Sequence, residues 1–180
     1  FSTDYVFDGI AGRPYEETDK TDPQGVYGKT KRDGETALSE SGASSVIVRT
    51  SWVYSTFGKN FVKTIQRVCS EKEEISVVND QIGSPTYAAD LAGAGLAILK
   101  QWSAGHPNLP NVTGTQYYHF ANEGVASWYD LAVAIAELSN LPCKVQAIPS
   151  KEYPTPAKRP FYSVLSKEKI KKELSLQIPH

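Results

Sequence analysis

The sequence predicts an α/β protein with parallel strand pairing, built as part of one open sheet and a smaller α/β lobe. Three observations predict it. Short β-branched or aromatic runs alternate with helical stretches from end to end, the pattern of parallel sheets with helical crossovers. The runs SVIVRT (45–50) and ISVV (75–78) have the continuous apolar character of strands buried on both faces. After residue 75 the alternation loosens and the loops lengthen, which marks a second, smaller lobe.

In order along the chain, residues 1–7 read as a strand, rich in aromatic and β-branched side chains. Residues 8–26 form a long loop broken by Gly9, Gly12, Pro14, Pro23 and Gly25. Residues 27–40 form a helix stopped by Ser41-Gly42. Gly28 and Gly34 each weaken it by about 1 kcal/mol relative to alanine, so a glycine kept there suggests close approach by a ligand or a neighbouring element. A strand over 45–50, a loop over 51–59 and an amphipathic helix over 60–70 follow, the last with Phe61, Ile65 and Val68 on one stripe. The second part reads as a strand over 75–78, a turn-rich loop over 80–86, a helix over 87–102, a loop over 105–114 and a strand over 117–120. A helix over 127–139, a strand over 145–148, an irregular proline-rich stretch over 151–160 and a helix over 166–174 complete it. Residues 1–74 are expected to form the remainder of a nucleotide-binding sheet domain, and 75–180 mainly a substrate lobe with elements returning to that sheet.

Composition narrows the function. The 180 residues are 40% hydrophobic and 22% charged, ordinary for a globular domain. A net charge of −1 offers no basic face for nucleic acid, and no apolar run approaches the ~20 residues of a membrane span. The two cysteines, Cys69 and Cys143, fit no metal spacing and suit reduced thiols in the cytoplasm. The three histidines are scattered. The chain opens inside a strand-like run without methionine, and no glycine-rich phosphate loop follows a strand. It is therefore read as the later part of a longer protein. Alone, it is expected to bind a dinucleotide weakly, to turn over nothing, and to expose an unpaired sheet edge.

The chemistry concentrates in STDYVFDG (2–9) and YGKTK (27–31). Tyr27 and Lys31, at i and i+4, share one helix face, where an ammonium favours the ionised form of a phenol and makes it a proton donor or acceptor at neutral pH. Alone, that spacing also describes an exposed helix with a snorkelling lysine. The flanks favour chemistry. Thr3 ends a strand and Tyr27 begins a helix, at the carboxyl edge where open α/β sheets place their sites, and the Thr3 hydroxyl can reach the same oxygen. Trp52, in the loop after a strand, offers a flat face for a sugar. Arg159, and less so Arg49, suit a pyrophosphate. Trp102 and Trp128 read as packing residues, and Lys167, Lys169, Lys171 and Lys172 as a solvated helix face. The run DQIGSPT (80–86) carries no assignable chemistry and is read as shaping the lobe junction.

Taken together, STDYVFDG, YGKTKRDGE, RTSWVY, VVNDQIGSPTYAADLA and RPFYSVLSKEKI resemble the extended short-chain dehydrogenase/reductases, and within them the group that reduces dTDP-4-dehydrorhamnose. The resemblance implies the later part of a Rossmann-type doubly wound sheet with a substrate lobe. It implies reduction of the C4 ketone of dTDP-4-dehydro-6-deoxy-L-mannose to dTDP-L-rhamnose, with NADPH or NADH supplying hydride. By the same resemblance Tyr27 is the proton donor, Lys31 binds the nicotinamide ribose and makes Tyr27 more acidic, and Thr3 tunes Tyr27 and contacts the substrate oxygen. Asp4 and Trp52 contact the sugar, Tyr5 lines its pocket, and the Phe1 backbone meets the cofactor. Related dehydratases carry a glutamate where Tyr5 stands; a tyrosine has no carboxylate to remove the C5 proton, which favours simple reduction. Some members form homodimers with a magnesium ion at the contact, and no residue here can be matched to it. Two other readings remain open: a non-catalytic subunit like the regulatory subunit of methionine adenosyltransferase, and a reductase or epimerase of another nucleotide sugar.

Overall fold

The computed structural model describes residues 1–103 and 114–180. Its strands are β1 (Ser2–Thr3), β2 (Ser45–Thr50), β3 (Val53–Tyr54), β4 (Glu74–Val78), β5 (Ile82–Gly83), β6 (Thr86–Tyr87), β7 (Thr115–His119), β8 (Ala126–Ser127) and β9 (Lys144–Ile148). Its helices are α1 (Val26–Glu40), α2 (Phe61–Glu71), α3 (Ala88–Ser103), α4 (Trp128–Leu138) and α5 (Glu168–Leu174). The α/β architecture and the parallel pairing follow the sequence. The loop expected over 105–114 lies, apart from Gly114, outside the described residues.

Strands β1, β2 and β7 form a parallel sheet in that order, with Thr3 opposite Thr50 and Arg49 opposite His119. Alternate residues of β2 serve opposite faces, as pleating requires. Val48 packs with Leu91, Ala94 and Ile98 of α3, Tyr118 of β7, and Ile170 and Leu174 of α5. Arg49 turns instead to α1, where its guanidinium meets Glu35 at 2.7 and 3.0 Å.

Parallel strands β4 and β9 carry the second layer. Here α2 and α4 bury Ile65, Cys69, Ala132, Ile135 and Ala136 against Val77 and Cys143. Each helix begins on a side-chain cap. Asn60 accepts from the Lys63 amide, and Ser127 with Asp130 forms a reciprocal capping box.

Several expectations need correction. The strand expected over 1–7 is only β1. The Thr3 hydroxyl accepts the Tyr5 amide at 3.3 Å and turns the chain into a 3₁₀ turn, Asp4–Val6. Val6 and Phe7 then leave the sheet and pack with Tyr15 and Leu165. The short pairs β3–β6 (parallel) and β5–β8 (antiparallel) lie inside segments read as loops or helix starts. The lysine run is not a solvated face. Lys167 is buried against Glu123 at 3.2 Å, Lys169 lies over the Tyr118 ring at 4.6 Å, and Lys171 bridges Glu123 and Glu168. Only Lys172 is exposed. Their long stems reach the end of β7 and its following loop, where carboxylate, carbonyl and ring acceptors are available.

Candidate active site

The 3₁₀ turn after β1 and the first turn of α1 touch through a glycine. A Cβ on Gly28 would lie 2.1 Å from the Tyr5 carbonyl oxygen, so only glycine lets the helix approach the turn this closely. The close approach foreseen for a helical glycine is therefore to backbone; Gly34 has open space. This contact sets Tyr27 edge-on to Tyr5, ring centroids 5.8 Å apart.

Tyr27 is 58% exposed and faces a cleft of about 470 Å³. Thr3, Asp4, Tyr5, Trp52 and Arg159 line the same cleft. Phe1 and Lys31 line a neighbouring hollow of about 260 Å³, and Ser2 borders both. Thr3, Asp4, Tyr5, Tyr27, Trp52 and Arg159 thus gather at the carboxyl ends of β1 and β2, with Phe1 and Lys31 in the hollow beside them. Lys31 does not hold the phenol directly; its ammonium donates to the Phe1 carbonyl at 2.8 Å. Thr3 donates to the Asp4 carboxylate at 3.0 Å, so its proton is also directed away from Tyr27. Arg49 is withdrawn from any anion by its buried pairing with Glu35.

Trp52 adopts a left-handed backbone conformation, φ +47°, which costs a non-glycine residue on the order of 1–3 kcal/mol. Its surroundings hold it there. The indole stacks on Trp128, centroids 3.6 Å apart and planes within 9°, and its edge lies over Gly83. A Cβ on Gly83 would come within 2.6 Å of the ring. The result is a rigid double indole in the cleft wall. Trp128, read from the sequence as a packing residue, belongs to this wall because it opens α4 directly after the Ser127 cap. The capping box formed by Ser127 and Asp130 fixes it at the helix start.

The run 80–86 is tied by hydrogen bonds to three segments remote in sequence. Asp80 accepts from the Ser150 amide and hydroxyl, Ile82 exchanges backbone hydrogen bonds with Phe161 and Ser163, and Ser84 donates to the Gly124 carbonyl. Burial pushes the Asp4 carboxyl up to about 6, while the Ser163 and Thr3 hydroxyls oppose the shift. Burial also raises Tyr5, with Asp4 adding to the rise and Arg159 opposing it.

The hollow beside the cleft suits one end of a dinucleotide. An ammonium carries three donors, and Lys31 has committed one to Phe1. The buried Ser2 hydroxyl has no hydrogen-bond partner. These groups match the vicinal hydroxyls of a ribose next to the exposed phenol. Among the described residues, no group of three or more His, Cys, Asp or Glu could hold a metal ion, and no helix is long and apolar enough to cross a membrane.

Residues 1–180 match the RmlD substrate binding domain family. The chain is 46% identical over 169 residues to the spore coat polysaccharide biosynthesis protein SpsK of Bacillus subtilis, covering 94% of this chain and 56% of that protein. It is 43% identical over 185 residues to the dTDP-4-dehydrorhamnose reductase of Escherichia coli, covering 99% and 60%. A crystal structure of dTDP-4-dehydrorhamnose reductase from Bacillus anthracis in complex with NADP superposes with a TM-score of 0.86 at 40% identity, covering 99% of this chain and 59% of that one. The chain therefore spans a little under three-fifths to three-fifths of the length of these relatives.

Proposed function

Since this chain belongs to the RmlD substrate binding domain family, we propose that it supplies the acid–base residues and the sugar site of an NAD(P)H-dependent reductase of dTDP-4-dehydrorhamnose. The reaction is ketone + NAD(P)H + H⁺ → alcohol + NAD(P)⁺. The observation that carries this reading is the cleft itself: an exposed phenol, a threonine hydroxyl and a flat double indole converge on one space sized for a sugar.

The bound cofactor supplies hydride to the sugar C4; the chain does the rest. Tyr27 delivers the proton to the C4 oxygen as alkoxide charge develops. Lys31 and Ser2 orient the cofactor's ribose end. The Trp52–Trp128 face excludes water from one side of the sugar and fixes its tilt. Arg159 borders both this cleft and an apolar hollow of about 320 Å³ walled by α2, β4 and Trp128. A guanidinium at that junction suits a pyrophosphate, with the base beyond it. In this reading residues 1–74 complete a Rossmann domain and 75–180 form mainly the substrate lobe. The two free, buried thiols suit the cytoplasm.

The test is turnover of the 4-keto sugar by the intact protein, followed through NADPH absorbance. Tyr27→Phe should lower kcat by about 10²–10⁴ with KM nearly unchanged, and Lys31→Ala should lower kcat and weaken cofactor binding together. Wild-type turnover in Tyr27→Phe would remove Tyr27 as the donor. Absence of turnover with either cofactor would favour a binding subunit.

A further inference from the structure

We propose that Asp4 is a positioning residue that sets the sense of the Thr3 hydroxyl. With the Asp4 carboxylate ionised, Thr3 offers the cleft only an acceptor; with it protonated, Thr3 turns its O–H to the cleft as a donor. The proposal rests on the reading of the cleft as a carbonyl-reducing site and gives Asp4 a role through Thr3, beyond the sugar contact that the family resemblance implies.

A threonine hydroxyl has one proton and two lone pairs. In the structure the proton goes to Asp4 Oδ1 at 3.0 Å, and one lone pair takes the Tyr5 amide at 3.3 Å. What remains is a lone pair. A ketone oxygen also offers only lone pairs, so Thr3 in this state cannot bond it. An alcohol offers an O–H, which Thr3 can accept. A proton added to Oδ1 reverses the bond across the same two atoms: the carboxylic acid donates to Thr3 Oγ1, and the threonine proton is released toward the cleft. Ketone and alcohol are thereby favoured by opposite states of one buried carboxyl.

Asp4 is built to change state near neutrality. It is 3% exposed, and the groups beside its carboxyl are the neutral hydroxyls of Thr3 and Ser163. The charged and titratable side chains that border the cleft with it are Tyr5 on its own turn, Tyr27 on α1, and Arg159. Lys31 is directed to the Phe1 carbonyl and Arg49 to Glu35. No salt bridge fixes the Asp4 charge among the described residues, and burial holds the carboxyl at about 6.

The reduction itself consumes a proton, so turnover alone would confound the test. Binding of the nucleotide-sugar product, which cannot accept hydride, isolates the effect. Its Kd in the intact protein should weaken about five- to tenfold, the worth of one hydrogen bond, as pH falls from above to below about 6. In Thr3→Val the curve should be flat through that range, because no hydroxyl is left to turn. In Asp4→Asn it should also be flat. The ¹³C carboxyl shift of Asp4 should titrate near 6 in the wild type and move upward in Thr3→Val, which loses an opposing hydroxyl. A step in Kd that persists in Thr3→Val, or a flat wild-type curve in a protein that does reduce the ketone, would overturn the positioning role and leave the reductase reading intact. Failure to reduce the ketone with either cofactor would instead overturn the reading beneath it.

Discussion

The sheet β1-β2-β7 and the layer on β4-β9 bury different materials. Around the first, charge goes inside. Arg49 and Glu35 are each 5% exposed, Arg49 also lies against the Phe7 and Tyr117 rings, Lys167 reaches Glu123, and His119 is fully buried. The second layer is closed by aliphatic side chains, alanines and two thiols, and its ion pair, Arg67–Glu71, stands in solvent. The two halves of the cleft wall therefore rest on different foundations. The turn bearing Thr3 and Asp4 depends on a polar interior that specifies geometry but tolerates no missing partner. The α4 start bearing Trp128 depends on packing, which is graded and insensitive to pH.

The largest break should come at Glu35. Glu35→Ala leaves the Arg49 guanidinium buried without its carboxylate, and such a loss costs about 3–5 kcal/mol. Denaturant unfolding should show it as a large fall in midpoint. Because Arg49 stands opposite Ser2 in the sheet, the Thr3 turn should loosen with it. A loss under about 1 kcal/mol would mean that Arg49 finds water or another acceptor, and the polar interior is softer than its burial implies.

Acid should separate the two halves next. Burial, and then the Arg49 charge, depress the His119 value to about 3 from its ordinary 6.5. The folded state binds fewer protons there than the unfolded chain, so this contribution is complete above pH 6.5 and is lost as pH falls toward 3. Asp4 works the other way: raised from 3.8 to about 6, it makes the folded state bind more protons in that window, so acidification adds stability until about 3.8. The His119 displacement is the larger, and the net effect is acid loss. His119→Gln should flatten the acid limb of a stability profile, and Asp4→Asn should steepen it. A profile unchanged by both would place the acid sensitivity elsewhere.

In the β4-β9 layer the corresponding probe is Ile135, buried between α4 and its neighbours. Ile135→Ala should cost about 2–4 kcal/mol through lost transfer and residual cavity, by the same amount at neutral and mildly acidic pH. A cost that varied with pH would show that charge reaches this layer after all.

The same contrast explains what the sequence could disclose. Elements with their own periodicity were legible: β2, α1, α2 and α4 begin and end within a residue or two of expectation. Two-residue strands have no period, and their pairing partners are remote, as Val53 pairs with Thr86. Thr3 does end its strand; the expected continuation to residue 7 fails because the Thr3 hydroxyl accepts the Tyr5 amide, a matter of one rotamer. In the cleft, Thr3, Asp4, Tyr5, Tyr27, Trp52 and Arg159 could be picked out from motifs and resemblance. Trp128 could not, since a tryptophan on an apolar helix looks the same whether it packs inward or backs another indole. The need for glycine at 83 follows from the left-handed backbone of Trp52, which no local pattern announces. The lysines of α5 misled because helical spacing reports which residues share a face, and says nothing of a carboxylate arriving from Glu123.

The smallest expected effect is the control for the whole comparison. Arg67 and Glu71 lie at i and i+4 on α2, 2.9 Å apart, with side chains 63% and 54% exposed. Their geometry is as short as that of many buried pairs, and distance alone would rank them beside Arg49–Glu35. Solvent decides otherwise: at this exposure water screens the attraction and two long side chains must be ordered, so such a pair is worth about 0.3–0.5 kcal/mol. Arg67→Ala should shift the unfolding midpoint by no more than that, and raising ionic strength should erase the difference between variant and wild type. A salt-resistant loss comparable to Glu35→Ala would mean that proximity governs these pairs, and the difference between a charged interior and a packed one would have no energetic basis.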